Sequence, residues 1–155
     1  MNIIDAHSHL WLQQDTWVNG KRILSKQDGR SIFMDEEVQM LPPFMIEGKN
    51  TAEIFLSNMN YAQVGGAVVV QEIIDGNQNS YLQKVQEKYP NRVFCMGMAN
   101  DLEEAQAVCQ AGLKGIAFPG HRIQTPLTSF LPIFKMMESK HMVLSMCLGE
   151  DERQI

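Results

Sequence analysis

The sequence predicts an α/β fold built on a parallel β-sheet. Short apolar runs, several of them β-branched, recur at residues 3–7, 66–70, 93–98, 115–118 and 142–148. Continuous runs of this length are typical of parallel strands that are buried on both faces. Segments with helical periodicity separate the runs, as βαβ units require.

Each intervening helix has a residue that can cap its first turn by accepting a hydrogen bond from a free backbone N–H. Glu53 follows the first cap at the third position, and Glu104 follows the third cap at capping-box spacing. The predicted starts are Asn50, Asn77, Asp101, and Thr128 or Ser129.

The spacing of the strands favours a (β/α)8 barrel of the TIM type. From the second run onward one βα unit takes about 25 residues, so about 75 more residues would complete eight strands, near the roughly 250 typical of this fold. The chain of 155 residues ends just after the fifth run. We therefore expect a single domain over 1–155 that contains about the first five βα units of an incomplete barrel.

The segment 10–49 does not show this alternation of strand and helix signals. It contains both tryptophans and the pair Asn19-Gly20, which between two apolar stretches indicates a β-hairpin. A connection of this length in a compact domain is usually functional or disordered. Because the stretch 41–45 is too apolar for a free linker, we expect 10–49 to form a long loop over the barrel mouth.

Composition and charge exclude several classes of protein. Hydrophobic residues make up 45% and charged residues 20%, within the globular range. A net charge of −5 without a basic patch argues against a nucleic-acid partner. No segment approaches a membrane span or a signal peptide. Three scattered cysteines, expected to be buried, fit a reducing cytoplasm, so we expect a cytoplasmic protein.

The most informative stretch is His7-Ser8-His9. On an extended strand, positions i and i+2 point to the same side, so the two imidazoles converge. Two neutral imidazoles suit a divalent transition metal, with Zn²⁺ favoured and Mn²⁺ as the alternative. The other interpretation is purely structural: two histidines at a strand end, each bonded to a neighbouring loop.

The stretch from Ile3 to Trp11, an apolar strand followed by Asp5, a small residue and His7-Ser8-His9, resembles the N-terminal signature of the amidohydrolase superfamily. It is most similar to the branch of sugar lactonases and aminocarboxymuconate-semialdehyde decarboxylases. The resemblance implies a distorted (β/α)8 barrel in which His7 and His9 bind a divalent metal. That metal would activate water for attack on a lactone or amide carbonyl. Some lactonases of the branch depend weakly on metal or need none.

The sequence departs from the family pattern at two strand ends. The bridging lysine that many members carry after the fourth strand is absent, since Lys114 precedes that strand. A histidine at the end of the fifth strand is also absent: His141 lies at its start, and Cys147 is expected to be a buried structural residue. The family's sixth-strand histidine and eighth-strand aspartate, the usual base, would lie beyond residue 155, so the catalytic residues stay unknown.

Other side chains are expected at the barrel mouth because they follow strand ends. Arg122 could pair with a substrate carboxylate, and His121 could act as a base or an oxyanion donor. Gln71 ends the second strand, and Trp11 lines the pocket or packs beneath the long loop. For His121 and Arg122, an ordinary surface loop is the alternative.

The sequence leaves three functions open. The first is a metal-dependent hydrolase acting on a lactone or amide of a small molecule. The second is a catalytically incompetent half-barrel that associates into a homo-oligomer, because missing strands would expose sheet edges. The third is a decarboxylase or other lyase on the same scaffold, which the fold alone cannot distinguish.

Overall fold

A computed structural model of the protein describes residues 3–147. Five strands come before residue 50, and helices and strands alternate after it. In chain order they are β1 (Ile3–Ser8), β2 (Asp15–Val18), β3 (Lys21–Ser25), β4 (Arg30–Phe33), β5 (Glu36–Gln39), α1 (Ala52–Tyr61), β6 (Val64–Val69), α2 (Asn79–Lys88), β7 (Val93–Gly97), α3 (Leu102–Gln110), β8 (Gly115–Pro119), α4 (Leu131–Ser139) and β9 (Val143–Cys147).

The central sheet has five parallel strands in the order β1-β6-β7-β8-β9. Every strand falls on a predicted run, which confirms an α/β fold with a parallel sheet. Leu148, the last residue of the fifth predicted run, lies outside the described residues. The sheet curls as in part of a barrel, and α1 to α4 connect its successive strands.

The helix starts confirm one of the predicted caps and shift the others. The Asp101 carboxylate accepts from the backbone N–H of Glu104 at 2.8 Å, as predicted. Helix α1 is capped by Thr51, not Asn50, and the Asn50 side chain donates to the carbonyl of His9 instead. The residue before α2 is Gln78, but the Asn77 side chain accepts from the backbone N–H of Asn79, the first residue of the helix, at 2.9 Å.

The fourth helix also starts later than predicted. A short 3-10 helix, Leu127–Phe130, occupies the predicted start, and α4 follows with Pro132 in its first turn. Proline has no N–H and is tolerated there because first-turn N–H groups have no partner within the helix. The prediction of Thr128 or Ser129 as the cap is therefore wrong by one or two residues, since the cap position is Phe130.

The main core lies between the sheet and its helices. Side chains from alternate positions of the strands, including Val69, Cys95 and Ile116, are almost fully buried there. Phe118 packs its ring edge-to-face against Phe130 and Phe134, with centroids 5.2 Å apart in both pairs. Burial of these apolar surfaces is the main stabilising contribution of the fold.

The opposite face of the sheet carries a smaller cluster, Val70, Met96 and Ala117. Among residues 3–147 no further strand pairs with its two edge strands, and the exposed fraction is 61% for Ile4 of β1 and 48% for Val143 of β9. These two side chains line a wide apolar cavity of about 510 Å³ on this face. This face is therefore far less covered than the one that packs on the helices.

The segment 10–49, predicted as a long loop, contains a four-stranded antiparallel sheet in the order β2-β3-β4-β5. The predicted hairpin is confirmed: β2 pairs with β3, and Asn19 and Gly20 both have positive φ, 51° and 77°. The second half of this sheet was not predicted. Strand β2 contacts the short helix Ile73–Asp75 after β6, and coverage of the mouth by the whole segment stays a prediction. Within residues 3–147, no helix is long and apolar enough to cross a membrane.

Candidate functional site

His7 and His9 converge at the carboxyl end of β1, the geometry that the alternation of an extended strand predicts. Their Nε2 atoms are 3.2 Å apart, and the rings meet edge-to-face with centroids separated by 4.9 Å. His7 is exposed, whereas the side chain of His9 is 32% exposed. The pair therefore presents two ring nitrogens to one point.

Hydrogen bonds hold the backbone of this strand end in place. The Asp5 carboxylate accepts from the His7 backbone N–H at 3.1 Å and from the Ser8 hydroxyl at 2.5 Å. The side chain of Asn50 donates to the His9 carbonyl at 2.7 Å. On the other side, the Val70 N–H donates to the Ser8 carbonyl at 2.9 Å. Asp5 therefore anchors the strand that carries the histidines.

Asp75 is a buried carboxyl behind His9 that the sequence did not single out. Its Oδ2 lies 3.8 Å from His9 Nδ1, and its Oδ1 accepts from Gln14 Nε2 at 2.7 Å. Burial raises the pKa of Asp75 to about 6, although the hydrogen bond from Gln14 lowers it. Burial also lowers the pKa of His9, against the charge of Glu72, so the neutral imidazole is favoured.

A second cluster joins the ends of β6 and β8. Glu72 lies between His121, with Nε2 3.4 Å from Oε2, and Arg122, with Nε 3.3 Å from Oε1. The Arg122 guanidinium also lies over the ring of Phe33 from β4, 5.8 Å from its centroid. The structure thus brings His121 and Arg122 together around one carboxylate, and their substrate-binding roles stay predictions.

The polar groups of Gln71 and Trp11 form hydrogen bonds with other residues of the protein. The Gln71 side chain accepts from the Gln78 N–H at 2.7 Å and donates to the Asn79 side chain at 2.5 Å. The Trp11 indole is 7% exposed and donates to the Gly48 carbonyl at 2.8 Å. Direct substrate contacts for both residues stay predictions.

A small cavity of about 40 Å³ opens beside the histidine pair. Its walls come from the carboxyl ends of several strands, and Glu72, Pro119 and Cys147 contribute to them together with both histidines. Cys147 was expected to be buried but is exposed, because β9 is an edge strand of the sheet. The cavity is large enough for an ion or a few water molecules.

The separation of the two Nε2 atoms fits joint coordination of one metal ion. Two nitrogens that each lie about 2.05 Å from a tetrahedral ion are about 3.3 Å apart, close to the observed 3.2 Å. Among residues 3–147, no group of three or more His, Cys, Asp and Glu side chains is placed to hold a metal. Lys114 and His141 precede their strands, so they lie at the other end of the sheet.

A family model of amidohydrolases matches residues 4–155, and the chain therefore belongs to the amidohydrolase family. Members of this family usually use divalent metals. No curated protein sequence matches the chain at a significant level.

Two solved structures have a similar fold. A probable 2-pyrone-4,6-dicarboxylic acid hydrolase from Acinetobacter baumannii, with citric acid bound, is 18% identical with a TM-score of 0.62 over 94% of this chain and 49% of that one. An amidohydrolase II structure is 12% identical with a TM-score of 0.59 over 99% and 54%. The chain thus spans about half the length of both, and the likeness concerns the fold alone.

Proposed function

We propose that this chain provides the metal-binding part of a hydrolase active site that acts on a lactone or amide carbonyl of a small molecule. The observation that carries the proposal is the convergence of His7 and His9 Nε2, 3.2 Å apart, beside a cavity at the carboxyl end of the sheet. Active sites of (β/α)8 enzymes lie at this end of the sheet.

In this proposal, His7 and His9 hold one divalent ion, Zn²⁺ or Mn²⁺, through their Nε2 atoms. When bound, such an ion polarises a carbonyl and lowers the pKa of a water molecule. A catalytic zinc site normally has three protein ligands. We propose that the further ligands come from strands of a complete (β/α)8 barrel, because both similar structures are about twice as long as this chain.

The Glu72 cluster suits the recognition of a carboxylated substrate. The salt bridge described above joins Glu72 to Nε of Arg122, and we propose that the terminal nitrogens of the guanidinium bind a substrate carboxylate in a bidentate manner. His121 lies beside the same carboxylate, with Nε2 3.4 Å from Glu72 Oε2, so we propose that it lines the carboxylate-binding site together with Arg122. A dicarboxylic acid appears in the name of the Acinetobacter protein, and we propose carboxylated lactones as the first substrates to test.

Metal analysis of the purified protein tests the proposal. We expect close to one equivalent of Zn²⁺ or Mn²⁺ in the native protein and almost none in His7→Ala or His9→Ala. His141→Asn is the matched control: it removes an exposed histidine at the other end of the sheet, and asparagine tolerates its positive φ of 54°. Equal metal contents in the control and the His7 and His9 variants would contradict the proposal.

Product analysis separates hydrolysis from the lyase alternative on the same scaffold. A hydrolase releases the ring-opened acid from a lactone and takes up one molecule of water, whereas a decarboxylase releases carbon dioxide. We expect ring opening that Arg122→Lys slows, since lysine keeps the charge but cannot form the planar fork. Carbon dioxide release without ring opening would assign the lyase function.

A second candidate function is association through the open edges of the sheet. Ile4 and Val143 lie on the two edge strands with exposed fractions of 61% and 48%. Unpaired edges and exposed apolar faces are typical sites of association. This proposal predicts a homo-oligomer by light scattering, and a monomer across micromolar concentrations would exclude it.

A further inference from the structure

Gln14 and Asp75 form a buried pair behind the histidines. Gln14 lies between β1 and β2 and is 1% exposed, and Asp75 ends the short helix after β6 and is 3% exposed. The Gln14 amide donates to Asp75 Oδ1 at 2.7 Å. The second oxygen of the carboxylate, Oδ2, is left for another donor.

The group that faces this oxygen is Nδ1 of His9, at 3.8 Å. Nδ1 is buried and has no hydrogen-bond partner within 3.5 Å among the described residues, although the backbone of Val70 also lies close enough to the ring to raise the pKa of His9. An unpaired buried donor costs roughly 1–3 kcal/mol. If Nδ1–H approaches Oδ2 to hydrogen-bond distance, the bond between them removes that cost.

Ser25 on β3 determines which way the Gln14 amide faces. The Ser25 hydroxyl donates to Gln14 Oε1 at 3.2 Å, while the backbone N–H of Gln14 donates to the Ser25 oxygen at 3.3 Å. The amide nitrogen of Gln14, which can only donate, therefore faces Asp75. The Ser25 hydroxyl thus donates to Gln14, and the Gln14 amide donates to Asp75. Asp75 Oδ2 is left to accept a hydrogen bond from His9.

We infer that the hydrogen-bond chain Ser25–Gln14–Asp75 holds His9 as its Nδ1–H tautomer, so that the lone pair of Nε2 faces His7 and the cavity. A neutral imidazole has one donor and one acceptor nitrogen, so a proton on Nδ1 leaves Nε2 bare. Without a metal, His7 Nε2–H then donates across the 3.2 Å gap to His9 Nε2.

In this account Asp75 is a positioning residue. The hydrogen-bond chain Ser25–Gln14–Asp75 connects the antiparallel sheet of β2 to β5 with the histidine pair. Carboxylates that orient a ligating histidine are common partners of metal sites. The tautomer of His9 is independent of the proposed function, whereas the effect of Asp75 on metal affinity rests on it.

Nitrogen NMR of the isotope-labelled, metal-free protein at neutral pH tests the tautomer directly. Two-bond proton–nitrogen correlations distinguish a protonated ring nitrogen from a bare one. For the native protein we expect His9 to have a protonated Nδ1 and a bare Nε2. For His7 we expect a protonated Nε2. A His9 proton on Nε2 would overturn the inference, and this measurement needs no variant.

Asp75→Ala provides the second arm, with Gln78→Ala as its matched control. Gln78 Nε2 donates to the backbone carbonyl of Asp75 at 2.8 Å, so it supports the same short helix without touching the carboxylate. We expect His9 to shift toward the Nε2–H tautomer in Asp75→Ala and to keep the native spectrum in the control. An unchanged tautomer in a folded Asp75→Ala would overturn the inference, and Asp75→Asn replaces it if the alanine variant does not fold.

Zinc titration by calorimetry then measures the consequence for metal binding. We expect Asp75→Ala to bind Zn²⁺ about 10–100-fold more weakly than the native protein, with Gln78→Ala close to native. Equal affinities in the native protein and Asp75→Ala would overturn the positioning role. Failure of the native protein to bind Zn²⁺ would instead contradict the proposed function and leave the tautomer result standing.

Discussion

The pH dependence of stability offers a quantitative test of the buried carboxyl at Asp75. Burial raises its pKa from 3.8 to about 6, with the charge of Glu72 adding to the rise and Gln14 and Arg122 opposing it. The folded protein therefore holds this proton more tightly than the unfolded chain. The contribution to stability is complete below about pH 4 and is lost as the pH rises to about 6.

The difference between 3.8 and about 6 corresponds to ~3 kcal/mol of unfolding free energy. Asp75→Asn removes the titration while keeping the shape of the side chain. Relative to the native protein, the variant should therefore gain ~3 kcal/mol between pH about 4 and about 7. Urea unfolding of both proteins across this range, with a metal chelator present, measures the difference.

Groups remote from Asp75 that titrate in both proteins cancel from this difference. His9 acts in the opposite direction, since burial lowers its pKa and its contribution is lost as the pH falls below 6.5. Asp28→Asn is the control, an exposed turn residue whose substitution should change stability by less than about 0.5 kcal/mol. A difference curve for Asp75→Asn that is flat, or that slopes the other way, would refute a buried carboxyl with a raised pKa.

Three further predictions concern packing and capping, each measured by urea unfolding. Gly115→Ala should cost about 1–3 kcal/mol, because its Cβ would collide with the backbone of β9, whereas Gly66→Ala should be nearly neutral, since its nearest contact is 3.6 Å away. Phe118→Ala should cost about 3–5 kcal/mol, because the ring is 2% exposed. Asp101→Ala should cost ~1 kcal/mol and Thr51→Ala less, since the capping bonds measure 2.8 and 3.5 Å. Equal losses for Gly115→Ala and Gly66→Ala, or for Asp101→Ala and Thr51→Ala, would contradict the geometric reason given for each pair. A loss well below about 3 kcal/mol for Phe118→Ala would contradict its role in the core.

The parallel strands could be predicted because their signal is local. A strand buried on both faces needs a continuous apolar run, and the stretches around Val69, Cys95 and Ile116 have one. Strands β4 and β5 have no such run: Glu36 and Glu37 occupy half of β5, and pairing with β4 stabilises it instead. A short antiparallel strand with polar residues depends on its partner, which the sequence around it does not specify.

The candidate site likewise contains residues whose proximity a local pattern predicts and residues that only the fold brings together. His7 and His9 are two residues apart on one strand, so the strand period alone determines that their side chains meet. Gln14 and Asp75 are 61 residues apart, and nothing near either residue marks it as a partner of the other. Only the packing of the segment after β1 against the helix after β6 brings them together behind His9.

Glu72 and Arg122 show the intermediate case. Each follows a strand, so both lie at the carboxyl edge of the sheet. Their ion pair depends on the curl of that sheet, because β7 lies between the two strands that carry them. The sequence by itself thus determined the positions of the parallel strands and the convergence of the histidine pair, through local periodicity. The tertiary structure alone decided which distant charges meet and which of them are buried.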